Sequence, residues 1–165
     1  MTTATEENSG EAQARRLENV YDQVAILLHQ PEVAQRLHAT LGENEWSAMQ
    51  VLGHIVEMIP YWLSHCRELI AATTEPPHFG RTFDALERLA GVERGAMGNP
   101  DELLHLLNDE VQAAAHAIRH MSPAERSKKG IHLNRGEMTV ADVIEVFIIA
   151  HAEDHLAQVR AVLRG

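Results

Sequence analysis

Four stretches of this sequence repeat apolar residues at every third or fourth position, and none alternates apolar with polar residues as a half-buried strand does. No Asn-Gly or Asp-Gly pair marks a hairpin either. The chain is therefore expected to be all-α. A first helix is expected from about Glu11 to Gln30, with Leu17, Val20, Val24, Leu27 and Leu28 on one stripe and Pro31 ending it. A short helical turn, Glu32 to Ala39, and a Gly42–Glu45 loop follow. Ser47 and Gln50 have the spacing of a capping box and open a second helix to about Ala72, apolar around most of its circumference and kinked at Pro60. Thr73 to Asn99 reads as a long connection with Pro76-Pro77, four glycines and a short helix near Phe83–Ala90. Asn99-Pro100-Asp101-Glu102 opens a third helix to about Met121, because asparagine caps free amides and proline already has the helical φ. Ser122–Glu125 reads as another short turn, Lys128–Glu137 as a loop, and Thr139 caps a fourth helix ending near Leu163.

Four long amphipathic helices bury their stripes most economically as a four-helix bundle. A connection of about 26 residues between helices two and three can cross the bundle, so the expected topology is up-down-down-up. With 165 residues one core suffices: residues 1–10 are expected to form a flexible N-terminal tail and residues 11–165 a single bundle domain. Fourteen Lys and Arg against 24 Asp and Glu leave a formal net charge of −10, which repels nucleic acid and anionic lipid, so neither is an expected partner. The most apolar run, Val140–Ala150, contains Asp142 and Glu145 and is too short to span a bilayer. The first 16 residues are polar and do not read as a signal peptide. Cys66, the one cysteine, cannot form an internal disulfide, and a cytoplasmic location is expected.

Histidine is unusually abundant: 11 residues of 165. Two His-x-x-x-His pairs occur, His116/His120 and His151/His155, but among so many histidines the spacing alone decides little. The helix face is more informative. At about 100° per residue, His151 and His155 fall in the stripe of Val140, Ile144, Phe147, Ile148 and Val162, with Asp142, Glu153, Arg160 and Arg164 opposite. On the third helix Leu104, Leu107, Val111 and Ile118 form the stripe, and His105, His116 and His120 lie across from it. On the second, His54 shares a line with Val51, Met58, Tyr61 and, further on, His65. Antiparallel packing of helices two and four lets His54 approach His151 and His155. Each buried imidazole has one donor and one acceptor to satisfy, at a cost of about 1–3 kcal/mol when unpaired. Separate hydrogen bonds in the core would satisfy them; so would one divalent ion shared by all three acceptors. Three protein ligands with open positions is the arrangement of catalytic metal sites, whereas structural zinc closes with four and favours thiolates.

The segment Glu45–Ile55 carries Trp46-Ser47, Leu52 and His54 in a W-S-x-x-x-x-L-x-H pattern that resembles the start of helix two in the DinB/YfiT-like bundle superfamily. Arg135–Val143 and His151–Val159 are similar to its approach to helix four and its H-x-x-x-H-x-x-Q signature. The resemblance covers most of the chain, with the motifs in the expected order. It implies a four-helix bundle whose metal ligands are His54, His151 and His155, with divalent nickel, zinc or iron as occupant. The superfamily includes S-transferases using bacillithiol or similar thiols, a mycothiol-dependent maleylpyruvate isomerase, and members without assigned activity. A small electrophilic substrate and a low-molecular-weight thiol cosubstrate are the corresponding expectations, and a homodimer is common among relatives.

Around that triad, Gln158, Asp154 and Glu57 are candidates to orient a ligand, and Glu57 also reads as a base or a surface charge. The group that reacts is left unassigned, either water or a thiol activated by the metal. Tyr21 and Cys66 read as core residues. The leading expectation is a metal-dependent thiol S-transferase or hydrolase. Its alternative is a non-catalytic, stress-related bundle that binds a metal or ligand. A carboxylate-bridged di-iron bundle needs two inward Glu-x-x-His motifs, yet Glu102–His105 points outward and Glu75–His78 lies in a proline-broken loop.

Overall fold

In the computed structural model, which describes residues 9–165, the second, third and fourth of the expected long helices start at the caps read from the sequence. Helix α1, Gly10–Leu28, opens with the Ser9 side chain accepting from the Ala12 amide, and a 3-10 turn at Pro31–Val33 follows it. Helix α2, Ala48–Ala71, begins with both bonds of the Ser47/Gln50 capping box and carries Pro60 inside it. Helix α3 is Leu86–Met97, and α4, Pro100–His120, starts at Asn99, whose side chain takes the Glu102 amide. The short α5, Pro123–Arg126, precedes the last helical rod. That rod is continuous: α6, Val140–Val143, capped by Thr139; a π-helical segment, Ile144–Ile149; and α7, Ala150–Arg164. The expectation of a tail over residues 1–10 lies outside the described residues except for Ser9 and Gly10, which open α1. The reading of the first 16 residues likewise falls within the description only from Ser9 onward.

The contacts between rods give their directions. Arg16 reaches Glu145 and Glu153, and Arg160 reaches Gln23, so numbers rise together and α1 runs with the last rod. Against α2 the order reverses: His54 meets His151, while Trp62, further along, stacks on Phe147. Arg119, at the end of α4, binds Glu11 and Glu18 near the start of α1. Between the rods lies a core built on Leu17, Leu52, Ile55, Ile59, Leu107, Ile118 and Ile148. None of the described helices is long and apolar enough to cross a membrane.

Three features depart from the sequence expectations. Lys128–Glu137 is not a plain loop: β2, Lys129–His132, and β3, Gly136–Thr139, pair antiparallel, and β1, His78–Phe79, adds to β2 in parallel. Four-residue strands are too short to show alternation, and the turn relies on Gly136 at φ 75° rather than on an Asn-Gly pair. The expected helix near Phe83–Ala90 forms later and longer, as α3. Its Gly95 lies flush against α2, where a Cβ would run into the Met49 carbonyl oxygen, so the glycine permits the contact rather than ending the helix. Finally, the π-helical segment inserts into the fourth helix a turn wider than the 3.6-residue period assumed for it.

Candidate metal centre

Helix α2 and the last rod bring three imidazoles to one point. The Nε2 atoms of His54 and His151 lie 3.3 Å apart, and those of His151 and His155 lie 3.0 Å apart. One ligand atom from each ring falls within 4.8 Å of the other two, and among the described residues this is the one cluster of metal-ligating side chains so arranged. Bonds of about 2.0–2.1 Å to a divalent ion put neighbouring nitrogens about 2.9–3.4 Å apart in octahedral or tetrahedral geometry, so the spacing fits the group.

The protonation states fit as well. Burial, reinforced by the neighbouring rings, pushes His54 down to about 2 and His151 to about 4. Burial also lowers His155 against the opposing effect of its bond to Gln158. All three rings are neutral near pH 7, the form that offers a lone pair. His155 donates from Nδ1 to Gln158 Oε1 at 2.8 Å, which leaves its Nε2 bare toward the cluster. His54 Nδ1 is buried without a hydrogen bond, its nearest carboxylate being Glu57 Oε2 at 4.0 Å. Glu57 accepts from both terminal guanidinium nitrogens of Arg81, at 2.5 and 2.7 Å. It is therefore neither a free base nor a surface charge but a small buried-side clamp behind His54.

The two later histidines follow directly on the π-helical segment, on regular helix. Beyond that segment the fully buried line runs through Ala152, Val159 and Leu163, and His151 and His155 stand half-buried beside it rather than within it. There His151, with His54, opens onto a cavity of about 630 Å³ lined also by Trp62, Arg81, Phe83, Arg88, His132 and Phe147, with Arg135 and Asp154 at its border. A shallower space of about 490 Å³ touches His155 and Gln158 from the other side, past Trp46 and Arg88. Trp46 covers the cluster, 5.4 Å from the His54 ring and stacked at 6.4 Å on His155.

The other candidates do not join the cluster. Asp154 is exposed and acts on His151 and His155 through its charge alone. His65 pairs with Glu68, and His116 and His120 sit exposed on α4, the latter bonded to the His116 carbonyl. Cys66 is fully buried, and burial pushes its thiol up to about 12. Tyr21 packs on the core and touches neither cavity. Sequence reasoning missed His132, whose Nδ1 accepts the Asn134 and Arg135 amides, so that its hydrogen sits on Nε2. It also missed Arg81 and Arg88; His132 and Arg81 come from connections it read as irregular, and Arg88 from a short helix whose packing face the sequence reading left unassigned.

The sequence model of the DinB superfamily matches residues 14–159. Among solved structures the chain is similar to YfiT from Bacillus subtilis, described as a probable metal-dependent hydrolase with an unusual four-helix bundle topology. The TM-score is 0.69 at 16% sequence identity, covering 94% of this chain and 86% of that one. Likeness at that identity establishes the fold. No curated protein matches the chain.

Proposed function

The chain belongs to the DinB superfamily, and from that premise we propose that it is a metal-dependent enzyme, a hydrolase or thiol S-transferase acting on a small electrophilic molecule. The observation that carries this reading is the convergence of three neutral imidazoles between two cavities, with no fourth protein ligand among the described residues. His54, His151 and His155 would hold a divalent ion, nickel, zinc or iron. Such an ion supplies concentrated positive charge that makes a nucleophile available at neutral pH. The chain's own residues do the rest. Gln158 fixes the tautomer of His155, and the Arg81–Glu57 clamp backs His54. Trp46 shields one side of the rings while the larger cavity admits the substrate from the other. Cys66 is too buried, and its thiol too weakly acidic, to attack anything; a thiol nucleophile must come from a cosubstrate. The single buried cysteine fits a reducing cytoplasm, and exposed Phe83, Leu86 and Met97 fit a homodimer contact.

The test is elemental analysis of the purified protein. The wild type should carry stoichiometric metal, and His54→Ala, His151→Ala and His155→Ala should each lose it. Undiminished metal in all three variants rejects the reading. With loaded wild type, consumption of a small thiol by chlorodinitrobenzene distinguishes transfer from ester hydrolysis. A large fall in melting temperature on chelation, with neither reaction, would identify the non-catalytic binding bundle instead.

A further inference from the structure

Most of the buried-side cations of this acidic chain are spoken for. Arg16 binds Glu145 and Glu153, Arg81 binds Glu57, and Arg119 binds Glu11 and Glu18. Two arginines at the histidine cluster differ. Among the described residues neither Arg88 nor Arg135 lies within ion-pair distance of a carboxylate. Arg88 projects from α3 and is half-buried, with its guanidinium 5.0 Å from the Trp46 ring centre and 5.1 Å from that of Phe83. One of its N–H groups goes to the Phe83 carbonyl at 2.8 Å. It lines both cavities, and through Trp46 it stands beside His54 and His155. Arg135 is exposed on the hairpin turn and borders the larger cavity, with its guanidinium 5.6 Å from the Phe147 ring centre.

The charge balance of the larger cavity follows. Its lining carries three cations, Arg81, Arg88 and Arg135, against two carboxylates, Glu145 and Asp154, and Arg81 is the one of the three cations held in an ion pair among the described residues. Three imidazoles add no negative charge. A surplus of positive charge in a chain of formal net charge −10 marks this as the place where an anion is welcome. A half-buried guanidinium without a counter-ion is costly, and its planar fork is matched by the two oxygens of an oxyanion. Trp62, Phe83, Val146 and Phe147 provide an apolar wall alongside.

We propose that the substrate is a small apolar molecule bearing a carboxylate or similar oxyanion, and that Arg88 binds that group beside the three histidines, with Arg135 as the second cation. The assignment of the molecule as a substrate rests on the reading of the cluster as a reaction centre; the binding of the anion does not.

The experiment uses metal-free protein and three probes: benzoate, phenyl phosphate and the neutral benzamide, titrated calorimetrically. At least one anion should bind at millimolar concentration, and benzamide should bind at least about tenfold more weakly than benzoate. Arg88→Met, which keeps most of the apolar stem, should lower affinity for the anion by roughly ten- to a hundredfold, and Arg88→Lys by less. His116→Ala, on the exposed face of α4 away from both cavities, should leave anion binding unchanged. Equal affinity for benzoate and benzamide overturns the proposal, as does undiminished anion binding by Arg88→Met or the failure of both anions to bind. If Arg88→Met does not fold, Arg135→Met carries the test, and unchanged affinity there overturns it. Failure of the metal reading shows separately, as retained metal in the histidine variants alongside intact discrimination between benzoate and benzamide.

Discussion

His54 Nδ1 is the most exacting atom in the molecule: buried, unbonded, and 4.0 Å from a carboxylate that Arg81 holds in place. A small movement of the ring closes that gap and turns Glu57 into the partner of a ligand's second nitrogen, an arrangement that raises ligand basicity. His155 already has such a partner in Gln158. Gln158→Ala removes it and frees the ring to turn or to change tautomer. Metal affinity, measured by competition with a chromophoric chelator, should fall about 10- to 100-fold while the melting temperature of the metal-free protein changes little. Unchanged affinity would mean that packing around His155, with Trp46 stacked on it, orients the ring unaided.

At the scale of elements, the site depends on one departure from regular helix and one unusually close helix contact. The π-helical Ile144–Ile149 buries Ile144, Ile148 and Ile149, and the helix that continues from it presents His151 to the larger cavity and His155 to the shallower one. Glu145 of the π-helical segment is tied to Arg16 of α1, which secures the irregular turn. The close contact is the seating of α3 on α2 at Gly95, which brings Arg88 over Trp46. Gly95→Ala should destabilise the protein by about 1–3 kcal/mol in a urea titration, because the new methyl meets backbone. The gain of about 1 kcal/mol in helix propensity offsets this only in part. A neutral or stabilising result would show that α3 can draw away from α2 without loss.

For the molecule as a whole, burying three imidazoles couples stability to pH. The folded rings resist protonation, down to about 4 for His151 and about 2 for His54, while unfolded ones take up a proton near 6.5. Below pH 6.5 the unfolded chain therefore binds more protons, and stability rises with pH. In the metal-free protein this contribution is complete above about pH 7 and is lost progressively as pH falls from 6.5 through 4. Urea midpoints recorded between pH 7.5 and 4 should fall, and the slope should flatten in the His54→Ala/His151→Ala/His155→Ala variant. An equal slope in both proteins would trace the acid sensitivity to the carboxylates.

The sequence alone determined the long helices and the candidate ligands. Caps at Ser47, Asn99 and Thr139 act over three residues, and apolar periodicity over a few turns, so both are written locally. His54, His151 and His155 stood out because regular helices carry them. Tertiary structure decided what cannot be local. It paired His78–Phe79 with residues some fifty positions on, widened the turn at Ile144–Ile149, and gathered Arg81 and His132 from irregular connections and Arg88 from α3 around the cavity. His54 and His151 are 97 residues apart in the chain, and their meeting depends on how whole rods pack, an energy distributed over the core rather than held in any short segment.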